Sequence, residues 1–586
     1  MNAELKAQPV AVIGLACRTA GADDPQALWR ALAGGQRLIA PVPEGRLPGV
    51  DPGLVDTQPL QAALLDDIAG FDAAFFGISR RMAAWMDPHQ RMLLELTWHA
   101  LESAAISSEE VRGLPVAVFA AAPMSDYRER MVQAEVVDSA AFPGTLITFT
   151  ANRISYQFDW TGPSYAIDSA CSSGLSVLAP AVQGLRSGEF PIAAVMAANV
   201  SCNGFYTSSA LQAGALSPSG ASVPFSERRD GYIRGEGGAC LLLKRLSDAQ
   251  RDGDPIHAVI REVGVAHNGR AGGLTGSDAR AQSQLFLHTA RKAGIPLSSV
   301  GYIEAHGTGT GGDLAETRAV ADALDTALEE TQGAVAGPEG KLWIGSAKSN
   351  IGHLETAAGL LGLVKAVLIL QHDLIPPVAA LTAPDPAFTF GGTPIAFADH
   401  PVPWPRGEAV RRIAVNSFGV GGALAHALVE EAPAPAVADT VSTSPAAAVL
   451  PLSAANKKAL SALAAGYLQA LGQAGAPEWA SVAWTAQTGR TPLRKRRVLT
   501  AAEPSELLAA LAALAAGQSH DHLASPDSRG PLSSLAPAVA RSADEWLDGM
   551  AVDWAKHWPQ PLRRLPNLPA YPFQRTSHWF GTRTAG

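Results

Sequence analysis

Cys171, His306, Lys348 and His353 are the residues whose types could together do chemistry on an acyl thioester. Cys171 follows Tyr165, Ala166 and Ile167, which read as the end of a buried strand, and the turn formers Asp168, Ser169 and Ala170, and it opens a helix rich in small residues. A cysteine there meets unpaired backbone N–H groups and the positive end of the helix dipole, which favours the nucleophilic thiolate. A lone cysteine is more often a buried structural residue. Two histidine motifs decide between these readings.

EAHGTGTGGDLAE (304 to 316) ends a strand at His306 and continues into a glycine-rich turn, where Gly307 and Gly309 let the backbone approach a substrate closely. It lacks the Lys-Ser/Thr ending of a phosphate-binding P-loop. KSNIGHLETAAG (348 to 359) sets Lys348 and His353 just ahead of a helix. Alone these would be an exposed lysine and a capping histidine. With Cys171 and His306 they make a thiolate that takes an acyl group, and imidazoles that stabilise an oxyanion or enolate. NSFGVGGALAH (416 to 426) is a second glycine loop. It reads either as a source of oxyanion-binding N–H groups or as a tight turn between strands, and the two are compatible. RKRR (494 to 497) borders a strand and reads as a solvated face.

These residues need a scaffold. Buried-strand patterns occur at Val10–Leu15, Val116–Ala121, Ala193–Asn199, Ala239–Leu243, Ile256–Val265, Val300–Ala305, Ile413–Asn416 and Ala425–Val429. Helices alternate with them: from Asp24-Pro25 to a stop at Gly34-Gly35, after Asp87-Pro88, over Asp278–Ala293 and Asp313–Leu328, and from Leu354. The alternation predicts a layered α/β domain over residues 8–431 with a largely parallel sheet. A Pro/Ala/Ser/Thr linker follows at 432–449, then a small α/β domain at 450–517, then loop and extended tail at 518–586. No internal repeat is visible.

A chain of 586 residues with 47% hydrophobic and 17% charged residues requires several buried cores. A net charge of −9 argues against nucleic acid as partner. Four cysteines without a C-x-x-C pair support neither zinc nor a disulfide framework, and imply a reduced, cytoplasmic setting. No signal peptide and no apolar run of membrane-spanning length are expected.

DSACSS, EAHGTGT, KSNIGH and NSFGVGG stand in the order and approximate spacing of the β-ketoacyl synthase family, with intervals of 135 residues (171 to 306) and 47 (306 to 353). GPSYAIDSACSSGL, MDPHQRMLLELTWHALESA and DGYIRGEGG resemble the ketosynthases of modular type I polyketide synthases in particular. PLSAANKKALSALAAGYLQAL through GRTPLRKRRVL is similar to the linker that follows such ketosynthases, and VDWAKHWPQPLRRLPNLPAYPFQRTSHWF to the tail that normally follows an acyltransferase. Only a short bridge separates them, without a G-x-S-x-G nucleophile elbow. The resemblance therefore implies a ketosynthase of the trans-acyltransferase type, whose extender arrives on a carrier protein loaded by a separate acyltransferase.

By this resemblance the fold is the thiolase fold: five αβαβα layers, two similar halves, and a homodimer across the central strands. Cys171 would take the acyl chain from an upstream acyl carrier protein. His306 and His353 would promote decarboxylation of a malonyl-loaded carrier and stabilise the enolate. Lys348 would set the electrostatics, paired with Glu316. The N–H groups of Cys171 and Phe418 would form the oxyanion hole. Thr308, Thr310, Gly419, Gly421 and Gly422 would make the substrate-facing loops. No metal and no resident cofactor are implied, since phosphopantetheine comes with the carrier; neither nucleic acid nor membrane is a partner. Leu314 replaces the family's proline after Gly-Asp, and Ala423-Leu424 replaces its Thr-Asn, which predicts weaker polar support behind the site. Pro180 predicts a helix kinked or shortened beyond its second turn. A non-elongating acyl-transfer domain is the alternative, although such domains lose an active-site histidine and this chain keeps both. A coenzyme A thiolase would need a second catalytic cysteine near its C-terminus, and the last cysteine here is Cys240.

Overall fold

A computed structural model describes residues 8–51, 59–271, 273–434, 444–473, 475–501 and 503–581. Half of the linker expected at 432–449, residues 435–443, and the last five residues of the tail lie outside them.

The main sheet has eleven strands: β1 (Val10–Thr19), β2 (Ala117–Ala121), β3 (Ser164–Ile167), β4 (Ile192–Asn199), β5 (Gly237–Arg245), β6 (Ala258–His267), β7 (Tyr302–Glu304), β8 (Leu342–Gly345), β9 (Ile395–Phe397), β10 (Arg412–Phe418) and β11 (Ala423–Glu431). Their order is β9-β8-β7-β10-β11-β6-β1-β5-β4-β2-β3. β1 and β6 pair antiparallel and join two halves of identical plan. With β9 set aside as an extra strand on the outer edge of the second half, and the other strands of each half counted in chain order, both run 3-2-4-5-1, with the first three neighbours parallel and the last two pairings antiparallel. The sheet is thus evenly mixed rather than largely parallel. Apolar runs report burial on both faces, which antiparallel strands covered by helices show as readily as parallel ones.

The helices supply three further layers. α1 (Pro25–Ala33) starts where Asp24 accepts the N–H of Ala27 at 2.7 Å and stops at Gly34. α2 (Pro88–Ser103) and α3 (Phe149–Phe158) cover the outer face of the first half. α4 (Ser173–Ser176), α5 (Leu178–Ser187) and, from the second half, α8 (Ala358–His372) fill the space between the halves. α6 (Ala279–Ala293) and α7 (Gly312–Thr331) cover the outer face of the second half. This is the αβαβα thiolase fold. The stretch Glu355–His372 is long and apolar enough to cross a membrane, but 83% of it is buried in this central layer.

Two expectations near Cys171 change. β3 is not a buried strand but the free edge of the sheet, with Tyr165 56% exposed. The helix after Cys171 is interrupted at Val177, one turn in, with Pro180 in the first turn of α5. Proline has no N–H for the Ser176 carbonyl, so the ladder closes early, with Val177 N–H on Ser173 O at 3.0 Å.

Beyond residue 444, β12 (Val449–Ala454), β13 (Lys495–Thr500) and β14 (Leu523–Ala524) form an antiparallel sheet packed by α9 (Lys457–Leu471), α10 (Trp479–Thr488) and α11 (Pro504–Ala515). Residues 518–543, expected as loop, carry β14 and the start of α12 (Pro537–Leu547). Val539, Ala543, Trp546 and Leu547 of α12 share a core with Val449 and Val498, a helical spacing that the surrounding Pro, Ala and Ser masked. The tail then runs back over the first half. Thr576–Ser577 pairs with Gly70–Phe71, Tyr571 N–H meets Glu102 at 2.7 Å, and Arg575 meets Glu95 at 2.8 Å.

Candidate active site

Ala170 precedes Cys171 in the left-handed region, φ 54°, a conformation that costs a non-glycine residue energy and must be held from outside. Asp168 accepts the Ala170 N–H, Ser173 Oγ accepts the Ser169 N–H, and Ser417 Oγ donates to the Cys171 carbonyl, at 2.8, 2.8 and 2.7 Å. Gly174 lets α4 lie directly on the central layer: a Cβ there would come within 2.9 Å of Leu360 N and Thr356 O. The turn therefore presents the sulfur at a fixed place on the floor of a cleft of about 780 Å³.

His306 and His353 line the same cleft, their ring centroids 5.5 Å apart. Phe418 N–H donates to His306 Nδ1 at 3.3 Å, and Glu355 N–H donates to His353 Nδ1 at 3.0 Å. Each ring therefore carries its proton on Nε2. Burial first, then the nearby Lys348 charge, holds both imidazoles well below the usual histidine range, so both are neutral donors.

Lys348 lies behind the histidines rather than in the cleft. Burial pulls its pKa down, and Glu304 and Glu316 act in the opposite direction. The expected Lys348–Glu316 pair is replaced by a relay. Glu316 accepts from His306 N–H, Gly307 N–H and Asn416 Nδ2 at 2.8, 2.9 and 2.8 Å. His426 Nδ1 bonds Asn416 Oδ1 at 2.7 Å. The polar support expected to weaken with the loss of Thr-Asn at 423–424 is present, because His426 and Asn416 face each other across β10 and β11. Asp313 anchors the first glycine turn through the N–H groups of Thr308 and Gly309 at 2.9 and 3.1 Å, while Thr308 and Thr310 bond each other at 2.9 Å and face the cleft. Leu314 sits half-exposed in the first turn of α7, where no proline is needed.

Residues 7–249 match the β-ketoacyl synthase N-terminal domain, 257–382 its C-terminal domain and 384–497 the ketoacyl-synthetase C-terminal extension. The chain belongs to the β-ketoacyl synthase family. It is 38% identical over 538 residues to 5-methyl-1-naphthoate synthase of Streptomyces sahachiroi, covering 87% of this chain and 29% of that protein. It is 37% identical over 536 residues to a component of the phenolphthiocerol/phthiocerol polyketide synthase of Mycobacterium bovis, covering 89% and 28%. It thus spans less than a third of the length of these curated relatives. Among solved structures it resembles an oxazolomycin ketosynthase domain of Streptomyces albus JA3453 (TM-score 0.86, 31% identity, 98% of each chain). It also resembles the ketosynthase from module 6 of the bacillaene synthase of Bacillus subtilis 168 (TM-score 0.86, 28% identity, 97% of this chain and 100% of that one). The protein is a polyketide-synthase ketosynthase, a transferase of the thiolase superfamily.

Within this ketosynthase site two expectations need correction. Phe418 N–H is engaged by His306, and the N–H groups that face the sulfur are those of Val420 and of Cys171 itself. The Cys171 thiol is not depressed. Burial and then the Glu355 carboxylate push it up to about 11, against Val420 N–H, Lys348 and its own N–H. A thiol sunk beside a carboxylate loses more solvation than a short, broken helix returns. Gly421 and Gly422 lie outside the cleft and shape the turn that carries Val420, while Gly419 lines it. A Cβ at Gly419 would stand 2.4 Å from Ser169 O, so only glycine allows this turn to close on the nucleophile's turn.

Residues the sequence motifs did not single out complete the cleft. Glu355 holds the left-handed φ of 46° that aims its N–H at His353, and its carboxylate is clamped by Arg234 at 2.6 and 2.9 Å. The Tyr232 ring packs edge-on against His353 at 5.0 Å. The only sequence signal was their position in DGYIRGEGG and KSNIGHLE.

Proposed function

We propose that this chain is an elongating ketosynthase, which joins a Cys171-bound acyl chain to a malonyl-type carrier-bound extender by decarboxylative Claisen condensation. The observation that carries the reading is the pair of neutral imidazoles, each with Nδ1 occupied by a backbone N–H and its Nε2 proton left for a substrate beside the thiol. Ketosynthase domains of this family work with acyl carrier proteins, whose phosphopantetheine arm is part of the substrate.

In the first half-reaction Cys171 Sγ attacks the carrier thioester. The carbonyl oxygen takes up charge facing the Val420 and Cys171 N–H groups, the carbon–sulfur bond to the arm breaks, and the thiol proton leaves with the arm's sulfur. In the second, His306 and His353 donate from Nε2 to the carbonyl oxygen of the malonyl thioester. The bond to the carboxylate breaks and releases carbon dioxide. The resulting enolate carbon attacks the acyl-cysteine, the bond to Sγ breaks, and the thiolate takes a proton from water, which balances the charge left when the carboxylate departed as carbon dioxide. Lys348 acts from behind by keeping both imidazoles unprotonated. Thr308 and Thr310 offer hydroxyls along the path of the arm.

The unpaired edge of β3, together with Tyr156 at 86% and Phe142 at 70% exposure nearby, suits a homodimer in which this face is covered. The tail docked directly on the first half, with no acyltransferase between linker and tail in the sequence, favours extender loading in trans. Incubation with acyl-carrier and malonyl-carrier proteins, followed by mass spectrometry of the carriers, tests the reading. The expected product is a β-ketoacyl carrier two carbons longer than the acyl donor. Acylated Cys171 with intact malonyl-carrier would overturn elongation in favour of simple acyl transfer.

A further inference from the structure

The turn that brings Val420 over Cys171 is short of internal support. Residues 419–422 join β10 to β11 with Gly421 at φ 113° and Gly422 at φ 92°, backbone open to glycine and strained for other residues. Inside the turn, Gly419 N–H bonds Ala423 O at 2.7 Å and Gly422 N–H bonds Gly419 O at 3.0 Å, which leaves the Gly421 carbonyl to an outside partner. The Val420 side chain is 64% exposed, so packing does not fix the turn's height. The partner is His267, the last residue of β6, whose Nε2 lies 2.8 Å from Gly421 O. Gly269 N–H donates to His267 Nδ1 at 2.9 Å, so the ring proton sits on Nε2, where the bond to Gly421 requires it. Among the described residues the turn's other tie to this strand end is Asn268 N–H on Gly422 O at 2.9 Å.

We propose that His267 is a positioning residue for the nucleophile: it holds the 419–422 turn at the height where Val420 N–H meets Cys171 Sγ, and so favours thiolate and oxyanion without touching substrate. His267 matters to the proposed condensation only through this turn. The thiol alone reports on it, so the two readings can fail separately.

Iodoacetamide alkylation followed by intact mass reads the thiol directly, because Cys17, Cys202 and Cys240 are buried. Below the thiol's pKa the rate follows the thiolate fraction. Losing one N–H donor to a thiolate raises the pKa by about one unit, partly offset by the higher nucleophilicity of the more basic sulfur. His267→Ala should therefore alkylate about three- to tenfold more slowly at pH 8.5. His267→Met, which fills the space without a donor, should slow equally. His267→Gln, whose amide can both donate to Gly421 O and accept from Gly269 N–H, should stay within about twofold of the parent. Thermal melting identifies any variant that fails to fold, and the remaining ones decide. A folded alanine or methionine variant that reacts at the parental rate would overturn the proposal, as would a glutamine variant as slow as alanine.

Discussion

The two halves of this ketosynthase share one strand plan and use it for opposite purposes. In the first half the chain leaving β3 makes the strained turn at Ala170 and delivers a sulfur. In the second half the corresponding strand, β8, leads to Lys348 and His353, and β7 leads to His306. The connection from fourth to fifth strand differs most. In the first half it runs through residues 200–236 and supplies a wall of the cleft, including Tyr206, Ser209, Tyr232 and Arg234. In the second half residues 419–422 close it with a turn whose N–H faces the thiol. A repeated scaffold therefore fixes where loops emerge, while the thiol and the two imidazoles that line the cleft are divided between the halves. The thiol side is defined by one strained side-chain turn, and the imidazole side by backbone N–H groups that fix two tautomers.

That division can be broken at the largest scale by removing one member from each side. Cys171→Ala should abolish acyl loading, read as loss of the acyl adduct on intact protein. His353→Gln should lower condensation by about a hundred- to ten-thousandfold, the range for a positioned proton donor or oxyanion contact, while acylation of Cys171 slows by less than about tenfold. Equal losses in the two half-reactions would show that the halves do not divide the chemistry as drawn.

The asymmetry also tells which parts were legible. Side-chain chemistry was: Cys171, His306 and His353 stand together in the cleft, and helix boundaries such as Asp24, Pro25 and Gly34 lie where the capping rules place them. What was hidden is carried by backbone. The N–H groups of Val420 and Glu355 have no residue-type signature, because any amino acid except proline supplies an N–H and only the fold aims it. The thiol's raised pKa was hidden for a related reason. A helix start is visible in sequence, but burial beside Glu355 is a tertiary fact. Sheet parity and α12 were lost to ambiguity rather than absence, since apolar runs do not encode strand direction, and Pro537 with scattered alanines read as loop.

Acid sharpens the comparison at an intermediate scale. In the second half His306, His353 and His426 are buried neutral, the last pushed down to about 3 by burial. A histidine with a lowered native pKa binds its proton in the unfolded chain first. Stability is therefore lost as pH falls below the ordinary value of about 6.5, by about 1.4 kcal/mol per pH unit per group, until the native group also titrates. In the first half His89 runs the other way. Burial lowers its pKa, but the Asp87 carboxylate at 2.5 Å and the Asp126 and Glu236 carboxylates together raise it, so its contribution is full at low pH and lost as pH rises through the native value. Hydrogen exchange at pH 7 and pH 5 should therefore show protection falling first around β7, β10 and β11, with β4 beside His89 retained. A second acid-sensitive spot is expected where His99, pushed down to about 4, meets the tail at Tyr571 O. Uniform loss across both halves would contradict the division.

The smallest effect concerns the helix that carries the nucleophile. A proline in a helix interior costs about 3 kcal/mol, and by that figure Pro180→Ala should stabilise the fold strongly. The structure predicts otherwise. The break at Val177 puts Pro180 in the first turn of α5, where an N–H has no partner within its own helix and a fixed φ suits the helix start. The lost bond to Ser176 is the one the break has already given up, and proline also limits the unfolded chain. Pro180→Ala should therefore change unfolding free energy by less than about 1 kcal/mol, measured by denaturant titration. It should leave acylation of Cys171 unchanged, because the turn at Ala170 and the bonds of Ser169, Ser173 and Ser417 set the sulfur's position upstream of the break. A stabilisation near 3 kcal/mol would mean that α4 and α5 form one strained helix, and the nucleophile would then depend on that strain.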